Sequence, residues 1–355
     1  MKHTVLITGA AGYVGGMLVR KFAEREDVER IIGLDKEPLP EFIKDIEKLE
    51  YLQMNTADDW EEKVRPYEPD IVVHTAWQIR ELYGDRATTW KWNVDGSEKV
   101  FRFALSERQV KRLVHYSTVA SYGAFADNSL EHLYTEAEPF RESEYLYAEE
   151  KRVAEERLEA VFAARTNAAN VGIIRPAAIT GPRGRFTRIR FGLQAALSGS
   201  LKGEKSFFYN LVSLLVSVVP VTPKWVRQFV HEDDIVAATE KLAFDELSFK
   251  YEAFNIAPPG AAVYGPDMAR AVGKRLWKVS PYFLRVGFYF AWHLSHGKIP
   301  TAKGSWRGYS YPILVDGSKA TRLLGLKYSA SSFDAFFYTN GRYEDAVPEK
   351  FRNHK

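Results

Sequence analysis

The chain has 355 residues, 46% apolar and 27% charged, which is the balance of a folded protein with one large domain or two sharing an interface. A net charge of +3 gives no sign of the concentrated basic face that nucleic-acid binding requires. The absence of cysteine excludes disulfides, thiolate catalysis and cysteine-based metal sites.

The first residues, MKHTVLITGAAGYVGG, form a strand-like run without the pattern of a secretory signal. Short β-branched runs then alternate with helical patterns. Thr4–Thr8, Arg30–Asp35, Asp70–Thr75, Leu113–Ser117 and Val171–Arg175 read as strands. Gly15–Glu26, Asp58–Tyr67, Thr88–Glu107 and Tyr147–Arg165 read as helices. This alternation predicts βαβ units, and the continuously apolar strands predict a parallel sheet covered on both faces. After Pro182 the rhythm changes, and a further unit returns at Phe229–Glu246 with a strand at Ala253–Ala257. The expected fold is α/β: a Rossmann-like doubly wound parallel sheet over 1–180, completed by 229–258. Residues 181–228 and 259–355 are expected to form a smaller substrate-binding region. The apolar runs Leu211–Val221 and Tyr282–Leu294 fall short of the ~20 residues that span a bilayer. A cytoplasmic protein without a stable membrane span is expected, although either run can touch a lipid surface.

Gly9-Ala10-Ala11-Gly12-Tyr13-Val14-Gly15 joins the first strand to the first helix. Glycines there allow a tight turn, close approach of backbone to a pyrophosphate, and tight helix–strand packing. The helix N-terminus adds free N–H groups and a favourable dipole. Asp35 ends the second strand, where a carboxylate accepts the ribose hydroxyls of NAD and repels a 2′-phosphate. Lys36 beside it offers partial tolerance of NADP.

Tyr147 and Lys151 are four residues apart and share one helical face. A nearby ammonium stabilises a phenolate, and the tyrosine can then exchange a proton with a carbinol as hydride moves. Around this pair the sequence resembles the extended short-chain dehydrogenase/reductases, the NAD-dependent epimerase/dehydratase family. The resemblance rests on TGAAGYVG (8–15), Asp35, DIVVHTAW (70–77), NVDG (93–96), VHYSTVASYG (114–123), YAEEK (147–151), RPAAITGP (175–182), FVHEDD (229–234) and FNIA (254–257).

The resemblance implies that Thr118 holds the substrate oxygen, with Ser117 its rival for the hydroxyl role. It implies that Tyr147 is the acid/base and that Lys151 holds the nicotinamide ribose. Pro176 is expected to line the nicotinamide, and Thr75, Ala76 and Trp77 to lie beside the cofactor. Asn93 is expected in a structural and cofactor-side role, and Asn55 near the adenine, where many relatives carry Asp. A homodimer through the Thr88–Glu107 and Tyr147–Arg165 helices is also implied, with Phe101, Val153, Leu158 and Phe162 available on them, though some of these must face the sheet.

Two departures bear on the substrate. Sugar-nucleotide enzymes of this kind often place Asn near Ala177–Ala178, and a Gly-rich stretch where Val216–Val221 is apolar. Arg227 and the Arg183–Arg190 run point the other way, because either can serve a phosphate. Arg227 can equally pair with a carboxylate. The leading expectation is net oxidoreduction between NAD and a secondary alcohol or ketone. The alternatives are a nucleotide-sugar epimerase or dehydratase with tightly held NAD, and a non-catalytic NAD-sensing protein. His231-Glu232-Asp233-Asp234 reads as a helix start rather than a metal cluster, and no metal is expected. The aromatic segment after Tyr282 reads as packing or as the wall of an apolar pocket.

Overall fold

Val5, Leu6 and Ile7 are wholly buried, yet they belong to two cores. Side chains alternate along a strand, so Val5 and Ile7 face one layer of helices and Leu6 faces the other. A computed structural model of the chain describes residues 2–184, 218–271, 275–337 and 341–346. Its central sheet has seven strands: β1 (His3–Thr8), β2 (Val28–Asp35), β3 (Leu49–Gln53), β4 (Ile71–His74), β5 (Arg112–Tyr116), β6 (Asn170–Pro176) and β11 (Tyr251–Ile256). Their order is β3-β2-β1-β4-β5-β6-β11, and all the pairings are parallel.

Helices α1 (Tyr13–Ala23) and α6 (Glu232–Phe244) cover one face, with Met17, Phe22, Ile235 and Leu242 in that core. Helices α4 (Gly96–Ser106) and α5 (Leu146–Ala163) cover the other, with Phe101, Phe103, Leu158 and Val161. The expected doubly wound architecture is present. The strand at Leu49–Gln53 did not stand out in the sequence, because it lies at the sheet edge and only partly buries its side chains.

The strand order reverses between β1 and β4, which opens a crevice at the carboxyl ends of these strands. Beyond the sheet, β7 (Ala178–Thr180) pairs with β10 (Phe229–His231), and β9 (Val226–Arg227) pairs with β12 (Val263–Tyr264). β8 (Val218–Val221) pairs with β13 (Arg275–Lys278). A third, smaller core gathers Val221, Trp225, Phe229, Val263 and Ala335. Helix α8 (Pro281–Leu294) lies beside a short helical turn at Ser305–Tyr309, with Phe288 against Tyr309 at 5.4 Å between ring centroids.

Phe101 and Leu158 are fully buried against the sheet, so they are not free for the dimer contact expected of them. The outward faces of α4 and α5 carry ion pairs instead. Arg157 bridges Asp95 and Glu98 at 2.8 Å each, and Arg102 pairs with Glu98.

Candidate active site

A cavity of about 740 Å³ occupies the crevice. The glycine loop forms one end, from Gly9 through Ala11, Gly12, Tyr13 and Val14 to Gly15. Gly9 has φ +76°, and a Cβ there would lie 2.5 Å from the Ala76 backbone nitrogen. At Gly15 a Cβ would meet the Gly9 carbonyl oxygen at 2.0 Å. Glycine is therefore demanded by backbone packing at both positions. Gly12 is the N-cap of α1, with no side chain occupying the helix end.

Asp35 closes β2 on the cavity wall. Its Oδ2 accepts the Ala11 N–H and its Oδ1 the Glu37 N–H, both at 3.0 Å. A carboxylate has about four acceptor sites, so each oxygen keeps capacity for a ribose hydroxyl. Burial raises its pKa, and the two backbone bonds work against that. Lys36 is paired with Glu37, which spends its charge locally. Asn55 also lines the cavity, its Oδ1 accepting the Ala57 N–H at 2.9 Å. Thr75 and Ala76 follow β4, the Thr75 hydroxyl donating to the Thr8 carbonyl at 2.7 Å.

Thr118 and Tyr147 stand on the wall, with Pro176 and Ala177 beside them. The Thr118 Oγ1 accepts the Ala120 N–H at 3.1 Å, which leaves its proton free to donate to a ligand oxygen. Ser117 does not line the cavity. Its hydroxyl is buried with no hydrogen-bond partner among the described residues. Between the two hydroxyls, the structure brings only that of Thr118 to the cavity.

Lys151 is also absent from the wall. Its ammonium donates to the Tyr116 carbonyl and lies under the Trp77 ring, 3.4 Å from the centroid. Burial drives its pKa well down, with Glu155 and Glu150 opposing. The bulky residue of the His74–Trp77 turn thus covers the lysine that its family resemblance assigns to the ribose. Cation–π attraction holds the ring there.

Asn93 sits on a wide, π-type turn at Lys91–Asp95. It accepts the Gln78 N–H at 2.7 Å, and donates to the Gln78 carbonyl at 3.0 Å and to Glu150 Oε2 at 2.6 Å. Glu150 was not singled out from the sequence, although its spacing from Tyr147, three positions along one helix, was the available signal. It lines the cavity, is 1% exposed, and its Oε1 has no partner among the described residues. Burial pushes its pKa up to about 7, with the Asn93 bond opposing and Glu81 adding to the rise.

This shift has a sign for stability. The unfolded carboxyl ionises in the ordinary range near 4.5, and the folded one only near 7. Stability from this group is complete below the lower value and lost as pH rises through the upper one. Glu150→Gln keeps an acceptor for Asn93 and does not titrate. The thermal midpoint of the variant should match the parent at low pH and exceed it by a few degrees at pH about 8. A midpoint difference independent of pH would contradict this account.

The far wall holds two guanidinium groups, Arg227 and Arg307. Arg227 donates to the Gly308 carbonyl at 3.2 Å and has no carboxylate partner among the described residues. Its guanidinium also lies over the Trp225 and Tyr309 rings, 6.0 and 5.3 Å from their centroids. Arg307 lies 3.6 Å from Glu144, and its Nε is buried without a partner among the described residues. Nothing in the local sequence around Arg307 marked it. Arg183 is elsewhere. It is buried, donates to the Tyr13 carbonyl, and stacks 4.1 Å from the centroid of Phe42. It buttresses the glycine loop; residues 185–190 lie outside the described residues, as does most of Leu211–Val221.

The His231–Asp234 residues diverge, as expected of a helix start. His231 caps α6 by accepting the Asp233 N–H at 3.3 Å, and Asp234 accepts the Ser329 N–H at 2.8 Å. Glu232 receives the Tyr13 hydroxyl and the backbone N–H groups of Arg183 and Gly184.

A parallel sheet, a glycine turn into α1 and an acid closing β2 define a Rossmann-like dinucleotide-binding fold. The chain belongs to the NAD dependent epimerase/dehydratase family, whose model matches residues 5–257. An uncharacterized protein of Mycobacterium tuberculosis is 25% identical over 274 residues, which are 75% of this chain. The match spans only 65% of that relative's length. Among solved structures, the chain resembles UDP-glucose 4-epimerase of Thermotoga maritima with UDP-glucose. The TM-score is 0.68 at 21% identity, over 94% of this chain and 96% of that one. The Bordetella bronchiseptica enzyme WbmH in complex with NAD+ gives 0.68 at 18% identity, over 96% and 97%. UDP-glucuronic acid 4-epimerase of Bacillus cereus, with UDP-glucuronic acid and NAD, gives 0.66 at 17% identity, over 94% and 96%.

Proposed function

We propose that this protein is an NAD-dependent enzyme that oxidises a carbinol of a nucleotide sugar and returns the hydride to the same molecule, to the carbonyl as an epimerase or, after loss of water, to a neighbouring carbon as a dehydratase. One observation carries the reading. Tyr147 and Thr118 face a single cavity between the glycine loop and the guanidinium groups of Arg227 and Arg307. NAD, when bound, supplies the hydride acceptor and donor. The glycine loop and the N-terminus of α1 hold its pyrophosphate, and Asp35 accepts its ribose hydroxyls. Thr118 donates to the substrate oxygen. Tyr147 takes the carbinol proton at its phenolic oxygen and returns it. Arg227 and Arg307 neutralise a diphosphate, whose burial without partners would be costly. The region 181–228 with 259–355 is assigned to the substrate, because Arg227, Trp292, Arg307 and Tyr309 come from it. Two chains are taken to pair through the outer faces of α4 and α5.

Net oxidoreduction of an apolar alcohol, the expectation from Ala177 and Ala178, has less support. Both alanines do line the cavity, but so do the guanidinium-bearing Arg227 and Arg307, and the structural relatives named above include two UDP-sugar epimerases. The test follows NADH absorbance while UDP-sugars and hydrophobic secondary alcohols are screened. Product from a UDP-sugar without net NADH supports the proposal; stoichiometric NADH from an alcohol, with no UDP-sugar turned over, overturns it.

NAD is expected to bind more tightly than NADP, because the Asp35 carboxylate faces the position of a 2′-phosphate. Asp35→Ala should weaken NAD roughly tenfold or more, through loss of charge-assisted bonds, and narrow the difference. Calorimetric titration of both dinucleotides decides it, and equal affinities in the parent protein would contradict the assignment.

A further inference from the structure

Helix α8 is amphipathic the wrong way round for a helix of a folded domain. Phe288 and Trp292 face inward and are buried, and Trp292 lines the cavity. The outward face carries Tyr282, Phe283, Tyr289, Phe290 and Leu294, exposed by 67%, 70%, 60%, 55% and 79%. Trp277 of the preceding strand β13 is exposed by 59%. These are six of the twelve large exposed hydrophobic side chains among the described residues, and they lie within eighteen positions. Scattered exposed apolar residues need no explanation, but a cluster of this kind marks a contact surface.

The charge pattern identifies what the surface meets. From Met268 to Val315 there is no Asp or Glu, in a chain that has 46 of them. The same stretch holds eight basic residues: Arg270, Lys274, Arg275, Lys278, Arg285, Lys298, Lys303 and Arg307. Of these, Arg275, Lys278, Arg285 and Lys298 are exposed and have no ion pair among the described residues. Aromatic rings flanked by unpaired cations match the polar–apolar boundary of a bilayer, where rings settle at headgroup depth and cations meet anionic phosphates. A second copy of the same face fits poorly, because it would bring cation against cation. With 14 residues, α8 is about 21 Å long at 1.5 Å per residue, well short of the ~30 Å hydrocarbon core. No described helix is long and apolar enough to cross a membrane. The helix would therefore lie in the interface plane.

We propose that α8, with the end of β13, docks the protein on an anionic phospholipid surface, with the inner face of the same helix forming part of the cavity wall. The inference does not depend on which substrate the cavity takes.

The experiment is co-sedimentation of the full chain with phosphatidylcholine vesicles, with and without phosphatidylglycerol. Binding to the anionic vesicles is expected, weakening as salt is raised. Substituting Phe283→Ser, Phe290→Ser and Leu294→Ser together should lower the vesicle affinity by about tenfold or more, since each side chain loses buried apolar area. Arg285→Glu with Lys278→Glu should remove the preference for anionic lipid. Thermal melting and NAD affinity of both variants should remain those of the parent, which separates lost docking from lost folding. No binding to anionic vesicles at low salt would overturn the proposal. So would binding that both variants retain. If the aromatic substitutions instead convert a sedimenting dimer to monomer without changing vesicle binding, the face belongs to a second copy and the proposal fails.

Discussion

Tyr147→Phe is expected to lower turnover by about 10²- to 10⁴-fold, the usual worth of a positioned proton-transfer group. The substitution keeps the ring, and with it the packing beside Tyr145, whose ring centroid lies 5.8 Å away. Only the phenolic oxygen of this cavity-wall residue is removed. NAD affinity should therefore remain within about twofold of the parent, since dinucleotide contacts are carried by the glycine loop and Asp35. Single-turnover measurement of NADH formation, beside calorimetric NAD binding, separates the two effects. Normal turnover by the variant would remove Tyr147 from the chemistry, whatever the substrate. Loss of NAD binding together with turnover would show that the hydroxyl also holds the dinucleotide, so that its role is not confined to proton transfer.

Gly9→Ala is expected to damage both folding and the cofactor site. The φ of +76° already disfavours any side chain there, costing about 1–3 kcal/mol. The added Cβ also meets backbone, 2.5 Å from the Ala76 nitrogen and 2.7 Å from the Thr75 carbonyl carbon. Those atoms cannot rotate away. Relief requires β1 and the turn after β4 to separate, although the Thr75 hydroxyl ties them by its bond to the Thr8 carbonyl. The thermal midpoint should fall by several degrees, and NAD affinity by about tenfold or more as the loop shifts. Gly84→Ala is the control. Its φ is +74°, but no atom lies within 4 Å of the added carbon, so it bears the conformational cost alone. Gly84→Ala should leave NAD binding unchanged. Equal melting and equal NAD affinity in the two variants would contradict the role given to close backbone approach at Gly9.

The features that could be read from the sequence are those whose chemistry is local. The glycine turn, the acid closing β2, and the spacing of Tyr147 and Lys151 on one helical face are all set within a few residues of chain. The apolar strand runs likewise announced a sheet covered on both faces, because a strand buried on both sides has no polar positions to spare. Periodicity says that a residue lies on a face, but not what stands opposite, and this limit explains each remaining difference. Thr118 and Ser117 are adjacent hydroxyls, and only the path of the chain after β5 turns one to the cavity and the other into the interior. Arg183 opens a basic run, yet the return of the chain past β7 lays it on the glycine loop. Of the four apolar residues on the two helices, some had to face the sheet, and only the packed sheet shows that Phe101 and Leu158 do. Trp77 and Lys151 are distant in sequence, and the packing of the β4 turn against α5 stacks one on the other. The aromatic run after Tyr282 read as packing, as the wall of an apolar pocket or as a run able to touch lipid, and composition alone does not choose among these. The third core contains no side chain of α8; the helix meets its edge through Phe288 against Tyr309, and most of its other rings face outward.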